Sequence, residues 1–137
     1  MPLPDGGRRR AVRALLLVGG AATCGALATP VAAQDPRVSE AQRVAREWLE
    51  KSDAGDAKAT YAAASAKFRG AMTPEQWAKA LTSARGPYGA VKARTLAASQ
   101  PAQVAPNLPE GAYVVLLYRT NFANRDAAET VTVERES

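Results

Sequence analysis

The sequence predicts an α+β domain in which three helices pack on an antiparallel sheet of three or more strands. Two observations lead to this prediction. Apolar residues recur at helical spacing as far as a turn rich in Gly and Pro at 85–89, and beyond it they alternate as they do in strands. The helices therefore come before the strands, an order typical of α+β domains. A cone-shaped, cystatin-like domain, in which helices wrap a curved sheet, has this order too.

The first helix is expected to begin at Ser39, which has capping-box spacing to Gln42. Apolar residues then recur with helical period while charged residues occupy the opposite face, and the helix ends near 53–55. Asp56 is the expected cap of a second helix, which Gly70 ends.

The third helix has the clearest start signal in the chain. Thr73 is the cap, Pro74 fits the first helical position because the N–H that proline lacks is unpaired there, and Gln76 completes a capping box. The helix ends at the turn at 85–89, where Pro87 fixes one dihedral angle and the flanking glycines permit positive ones.

Three strands are expected after the turn. In the first, Val91 and Ala93 point to one side and Arg94 to the other, which suits a strand with one solvated face. A proline-rich loop separates it from the strand at 112–122, whose continuous apolar run is typical of the centre of a sheet. A turn then leads to a returning strand at 128–135.

Residues 1–33 have the three parts of an export signal: a basic stretch, an apolar run and small residues before the cleavage site. We predict cleavage after Ala33, which leaves residues 34–137 as a single small domain that is periplasmic or secreted. The apolar run at 14–28 is shorter than the roughly 20 residues of a spanning helix, so no stable membrane span is expected after cleavage.

The leader also accounts for most of the charge. The formal net charge is +5, and its excess comes mainly from the arginines at 8, 9, 10 and 13. A nucleic-acid surface would need a basic stripe with aromatic residues between the charges, whereas charges of both signs alternate after residue 34. The sequence therefore indicates an export address and no nucleic-acid partner.

Two features of the leader leave alternatives open. The pair Arg9 and Arg10 is also found in twin-arginine signals, so that route stands beside the ordinary secretory one. Cys24 is either a spectator that leaves with the leader or a site of lipid attachment, for which Ala21 and Thr23 are poor neighbours.

The residue types present exclude several kinds of chemistry. The chain has no His, and its one Cys lies in the leader. Ser-His-Asp and Cys-His catalysis and His-ligated zinc are therefore excluded within this chain. The sequence has no glycine-rich phosphate loop, nucleophile elbow or cluster of metal ligands, so no metal and no cofactor is expected.

Scattered residues after the leader have a recognisable order and spacing. They include Trp48-Leu49, Asp53-x-Gly55, Thr73-x-x-Gln76-Trp77, Arg85-x-Pro87-x-Gly89, Gly111-x-Tyr113 and Glu129-Thr130-Val131. On these residues the chain resembles, over about 39–133, the bacterial family catalogued as domain of unknown function 4019. The resemblance implies a small exported bacterial protein without an established activity.

The resemblance has departures and stops early. Ala57 and Tyr88 stand where the family tends to have Tyr and Leu. In the strand at 128–135, Val131 and Val133 are expected to face the core. Members of the family continue past this strand into a further one. Either the sequence is truncated, or the strand at 128–135 is an unpaired edge through which the chain recruits another chain or associates with itself.

Two carboxylates and two tyrosines are the catalytic candidates. Asp53 and Asp56 form the kind of close pair that acid–base catalysis requires, and one of them beside Tyr61 or Tyr88 in a pocket would make the site of a cone-shaped enzyme. Both aspartates lie between helices, however, where a helix N-terminus stabilises negative charge. Capping is therefore the interpretation that we favour.

Four residues are the binding candidates. Trp77 lies on an apolar helix face, so core packing is favoured over stacking on a ligand. Arg85, Arg94 and Arg119 could gather at the rim of the sheet and hold an anionic group. Glu129 is an available partner for them, and structural ion pairing is the favoured interpretation.

The leading hypothesis is a non-enzymatic exported domain of the bacterial envelope that binds a partner protein or a small ligand. The alternative, from another class, is a small cone-shaped enzyme that uses a carboxylate and a tyrosine. Because such a fold hosts both, the geometry of the candidate residues has to decide between them.

Overall fold

The computed structural model describes residues 13–15 and 35–136. The predicted cleavage after Ala33, the alternatives for Cys24 and the choice of export route concern residues outside these ranges. The elements in chain order are β1 (Arg13–Leu15), α1 (Pro36–Asp53), α2 (Ala57–Ala63), α3 (Ala66–Ala71), α4 (Pro74–Arg85), β2 (Val91–Ala102), β3 (Tyr113–Phe122) and β4 (Asp126–Glu134).

The predicted fold class is confirmed, because the helices precede three long antiparallel strands. The strand order is β1-β4-β3-β2, and each neighbouring pair is antiparallel. β3, with its continuous apolar run, lies between β2 and β4. The short β1 pairs with β4 at Thr130–Thr132 only. None of the described helices is long and apolar enough to cross a membrane.

The caps explain where the helices begin. α1 starts at Pro36 instead of Ser39, because the Asp35 carboxylate caps it by accepting a hydrogen bond from the N–H of Arg37 at 2.9 Å. The capping box of α4 is confirmed: the Gln76 side chain accepts from the N–H of Thr73 at 2.8 Å, and the Thr73 hydroxyl accepts from the N–H of Gln76 at 3.2 Å.

The predicted second helix is divided into α2 and α3. Ala64 and Ser65 have extended backbones, with ψ of 158° and 157°. Ser65 then caps α3 by accepting from the N–H of Phe68 at 3.2 Å. The sequence signal for this break is a serine at capping distance from a helical residue, inside a run of alanines that is compatible with one continuous helix.

The core lies between the helices and the inner face of the sheet. In the helical layer, the rings of Trp48 and Phe68 lie 6.0 and 5.1 Å from that of Trp77, measured between centroids. Thr60 is fully buried and bonds both indoles: its carbonyl accepts from Trp48 Nε1 at 3.1 Å, and its hydroxyl accepts from Trp77 Nε1 at 2.9 Å. The sheet contributes Val114, Leu116, Tyr118, Val131 and Val133.

β2 contains two bulges. Val91 pairs with Phe122 and Arg94 pairs with Thr120, so one extra residue lies in β2 between these pairs, and a second one follows Leu96. Each extra residue turns the side chains beyond it to the other face of the sheet. The prediction that Val91 and Arg94 point to opposite faces is therefore wrong. Both lie on the inner face, because their partners do.

Candidate functional site

Charged side chains from four elements meet on the inner face of the sheet. Asp53 ends α1, Arg85 ends α4, Arg94 lies on β2 and Glu129 lies on β4. Thr120, on β3, stands between the two strand residues. We call these five residues the buried ion cluster.

Both arginines of the buried ion cluster bind both carboxylates. Arg94 places Nε and Nη2 at 2.7 and 3.1 Å from the two oxygens of Glu129, and Nη1 and Nη2 at 2.7 and 3.0 Å from those of Asp53. Arg85 donates to Asp53 and, at 3.4 Å, to Glu129 Oε1. The Thr120 hydroxyl donates to Glu129 Oε2 at 2.5 Å. Bidentate guanidinium contacts of this kind are the strongest form of side-chain ion pair.

The cluster is balanced in charge and largely removed from solvent. The exposed fraction of the side chain is 2% for Glu129, 14% for Arg94 and 25% for Asp53. Burial opposes the charged form of Arg94, but hydrogen bonds to Asp53 and Glu129 raise the pKa of its guanidinium above the ordinary value. Since a buried charge without its partner is strongly unfavourable, these residues stabilise the fold only as a set.

Tyr118 lies beside the cluster with a hydroxyl that bonds nothing in the described part of the chain. The residue is 3% exposed, and it pairs with Glu129 across β3 and β4. Burial is the main reason why the pKa of Tyr118 is raised, with Arg46 and Arg94 acting in the opposite direction. A tyrosine and a carboxylate are thus adjacent here, although guanidinium groups and Thr120 already bind the carboxylate.

The predicted ion pairing is confirmed for Arg85 and Arg94, which both meet Glu129. Arg119 does not join them, because it is exposed and lies one residue from Thr120, on the opposite face of β3. The position of Glu129 follows from strand alternation, since it precedes the inward-facing Val131 by two residues.

The two candidate aspartates have different roles. Asp56 caps α2 and accepts from the N–H of Ala59 at 2.9 Å, so the capping prediction is confirmed for it. The same prediction is wrong for Asp53, which lies at the C-terminal end of α1, where a helix does not stabilise negative charge. Arg85 and Arg94 supply the positive charge instead.

The candidate tyrosines lie apart from both aspartates in the described contacts. The Tyr61 hydroxyl lies 2.9 Å from the carbonyl oxygens of both Arg69 and Met72, and donates to this pair. Tyr88 is buried and packs on Phe122 with ring centroids 5.2 Å apart. Within the described residues, no group of three or more His, Cys, Asp or Glu side chains is placed to hold a metal ion.

Trp77 packs in the core, which is the role that its position on an apolar helix face predicted. It is 7% exposed, its ring packs on Phe68 and Trp48, and its N–H donates to Thr60. A ligand could not stack on this ring without displacing those neighbours.

A groove of about 740 Å³ opens at the end of the sheet opposite the buried ion cluster. The start of α1, the ends of β2 and β4, the start of β3 and the loop at 103–112 form its walls. Apolar side chains there include Ala41, Val114 and Val133, and the charged ones are Arg37, Glu110, Glu134 and Arg135. None of the candidate residues chosen from the sequence lines this groove.

One wall of the groove is held by a lysine from α3. Lys67 binds Glu134, and its Nζ lies 3.3 Å from the hydroxyl of Tyr113. That hydroxyl donates to the carbonyl oxygen of Pro109 at 2.6 Å. The hydrogen bond to Glu134 is the main reason why the pKa of Lys67 is raised. These contacts join the loop before β3 to the end of β4.

The rim of the groove near the start of α1 carries more positive than negative charge. Arg37 binds the Asp35 carboxylate through its side chain and its N–H, and these hydrogen bonds lower the pKa of Asp35 to about 2. Arg135 lowers it further by its charge. Arg37 and Arg135 therefore outnumber the one carboxylate, Asp35, at this rim of the groove.

A family model described as protein of unknown function (DUF4019) matches residues 44–137. The matched range includes every residue of the buried ion cluster and most of the groove lining. No curated protein and no solved structure matches the chain significantly.

Proposed function

The chain belongs to the DUF4019 family, and on that premise we propose that it is a non-enzymatic binding domain of the bacterial envelope, exported by the leader at 1–33. The groove between the start of α1 and the ends of the strands is its ligand site. The ligand is a short segment of a partner protein or a small molecule of similar size.

The groove is the observation that carries this proposal. Its volume of about 740 Å³ lies within the roughly 300–1,000 Å³ that ligand pockets occupy. Apolar side chains offer a surface for the apolar part of a ligand. Arg37 and Arg135 suit a carboxylate or another anionic end, and Glu110 suits an amine.

The contacts of the catalytic candidates support a non-enzymatic role. The Asp53 carboxylate is already bound by two guanidinium groups, and Asp56 caps a helix. The cone-shaped enzyme would have to use Tyr118 with Glu129 instead. Glu129 is bound in the same way as Asp53, so this alternative has less support.

Affinity capture with groove variants tests the proposal. The exported protein is immobilised, exposed to an envelope extract, and washed, and the bound proteins and small molecules are identified by mass spectrometry. Ala112 is an exposed residue of the groove wall, so Ala112→Trp places an indole ring in the groove. Ala80→Trp adds the same side chain at an exposed position on α4, outside the groove. Circular dichroism checks that both variants are folded.

We expect a specific species to be recovered by the unchanged protein and by Ala80→Trp, and to be lost from Ala112→Trp. Arg135→Glu should weaken retention of the same species if it carries an anionic end. Recovery of nothing specific, or equal recovery by Ala112→Trp, would contradict the proposal.

A further inference from the structure

The floor of the groove is a row of apolar side chains on the inner face of the sheet. Pro101, Val114 and Val133 stand side by side across β2, β3 and β4, because Pro101 pairs with Val114 and Val114 pairs with Val133. Residues that oppose each other in neighbouring strands lie on the same face. Ala41 of α1 lines the same groove. The floor therefore offers contact to small apolar side chains.

Two charged side chains of opposite sign line the groove and are exposed, namely Glu110 and Arg135. Neither side chain forms a hydrogen bond or an ion pair with a described residue. They lie close along the fold, since Glu110 precedes Ala112 by two residues and the N–H of Arg135 donates to the Ala112 carbonyl oxygen at 3.0 Å. One positive and one negative group thus stand ready in the same groove.

The other charged residues that line the groove already have partners. Arg37 binds Asp35, and Glu134 binds Lys67. Arg135 acts on Asp35 through its charge, without a hydrogen bond between them. A ligand therefore gains most from a negative end at Arg135 and a positive end at Glu110.

We propose that the groove binds a short peptide with both ends free, two or three residues long and with small apolar side chains. Its carboxylate pairs with Arg135, its ammonium group pairs with Glu110, and its side chains lie on the apolar row. A volume of about 740 Å³ matches a ligand of this size. The inference rests on the proposed function, which makes the groove the ligand site.

Simpler ligands use only part of the groove. An inorganic anion would pair with Arg135 and leave the apolar row without a contact. A fatty acid would leave Glu110 unpaired. Val114 and Val133 are only 8% and 7% exposed, which suits small side chains better than a long acyl chain. A short peptide engages both charges and the floor together.

Gln103 supplies hydrogen bonds of the kind that a peptide requires. It follows the end of β2, lines the groove and is exposed. Its side chain makes no hydrogen bond with a residue in the described ranges. An amide side chain both donates and accepts, as a peptide group does. The Gln103 side chain is therefore available to pair with the backbone of the ligand.

The site does not depend on the free side of β4. The groove lies against the inner face of β2, β3 and β4. A strand added beside β4 would lie in the plane of the sheet and extend it sideways, as β1 does. The apolar row would keep its place on the inner face with or without such a strand.

Calorimetric titration of the full chain with the tripeptide Val-Ala-Val tests the inference. The free tripeptide is compared with its N-acetylated and its C-amidated forms. We expect the free tripeptide to bind, and each block to lower the affinity about fivefold, as the loss of one exposed ion pair does. Ala112→Trp should lose binding, whereas Ala80→Trp, outside the groove, should retain it.

Charge variants assign the two ends of the peptide. In Arg135→Gln, amidation should no longer change the affinity, while acetylation still lowers it. Glu110→Gln should show the reverse. Arg119→Gln and Glu75→Gln are the matched controls, because both residues are exposed and lie outside the groove, and they should keep both effects. Circular dichroism checks that all four variants are folded.

Three results would overturn the inference. They are no binding of the free tripeptide, equal binding of the acetylated tripeptide, and both end effects persisting in Arg135→Gln and Glu110→Gln. Equal binding of the acetylated form would indicate the end of a longer protein as the ligand. The proposed function is tested separately: a species captured from the envelope and lost from Ala112→Trp would support the groove as a site even where the tripeptide fails.

Discussion

Arg94 on β2 and Glu129 on β4 meet across the central strand, with Arg94 Nε 2.7 Å from Glu129 Oε2. Their strands are not neighbours, so the two side chains join the flanking strands over Thr120 on β3. Asp53 and Arg85 bring the ends of α1 and α4 to the same point. The buried ion cluster therefore connects the helical layer to the sheet by directed bonds.

Replacing Glu129 with Gln should destabilise the fold by about 3 kcal/mol, because it leaves two buried guanidinium groups with one carboxylate. Chemical denaturation measures the loss as a lower midpoint. Glu47→Gln is the control, since Glu47 forms an exposed pair with Arg43, and it should change the midpoint little. Equal effects of the two substitutions would mean that the buried cluster is not a stabilising set.

Asp53 and Asp56 should respond differently to replacement by Asn. Asn is as good a helix cap as Asp, so Asp56→Asn should change the free energy of unfolding by less than about 0.5 kcal/mol. Asp53→Asn removes the negative charge that Arg85 and Arg94 share, and it should cost about 2 kcal/mol. Thermal or chemical unfolding of both variants checks this order, and the reverse order would refute the assigned roles.

Removing the Tyr118 hydroxyl should stabilise the domain. Tyr118→Phe takes away a buried polar group that bonds nothing in the described structure, and we expect a gain of about 1 kcal/mol. Tyr61→Phe removes a hydroxyl that donates to backbone carbonyls and should lose about 1 kcal/mol. Denaturation curves for the two variants should move in opposite directions. A loss in Tyr118→Phe would indicate that the hydroxyl has a partner.

The same tyrosine should affect stability at high pH. Burial raises the pKa of Tyr118 in the folded state, so the unfolded state loses this proton first. The contribution of Tyr118 to the stability of the fold is therefore complete below the ordinary tyrosine pKa of about 10. It is lost as pH rises through the pKa of Tyr118 in the folded state. The free energy of unfolding should fall less steeply with rising pH in Tyr118→Phe than in the unchanged protein. Parallel pH profiles would contradict the raised pKa.

Asp35 should titrate well below an ordinary aspartate. Its hydrogen bonds to Arg37 hold the pKa at about 2, so its contribution to stability is present above about 3.8 and is lost as pH falls towards 2. Arg37→Gln should raise the midpoint in an NMR titration. The rise should stop short of 3.8, because the N–H of residue 37 still donates to the carboxylate. An unchanged midpoint would refute the pairing.

Local signals predicted the helix starts with unequal success. The capping box of Thr73 and Gln76 is complete within four residues and fixes the start of α4. The break at Ser65 has no such clarity, because the alanines around it favour a continuous helix, whereas the Ser65 side chain caps α3. The order of helices and strands follows from periodicity alone, which is why the fold class could be predicted.

The sequence predicted the ion pairs of the site but only part of its geometry. Alternation around Val131 places Glu129 on the inner face, and the sequence identified Arg85 as a partner for it. Arg94 depends on a bulge that no turn residue signals, so its face was assigned wrongly. The groove draws residues from elements far apart in the chain, such as Arg37, Pro101 and Val133, and no local pattern joins them.

The two bulges of β2 also limit what an alignment of this region can say. A relative with one residue fewer between Val91 and Arg94 would need no bulge there, because residues two apart in a regular strand lie on the same face. An arginine aligned with Arg94 across such a gap would still reach the inner face, whereas an arginine at the same spacing in a strand without the bulge would stand in solvent. In this strand, an identical residue at identical spacing indicates an identical environment only where the bulge is present as well.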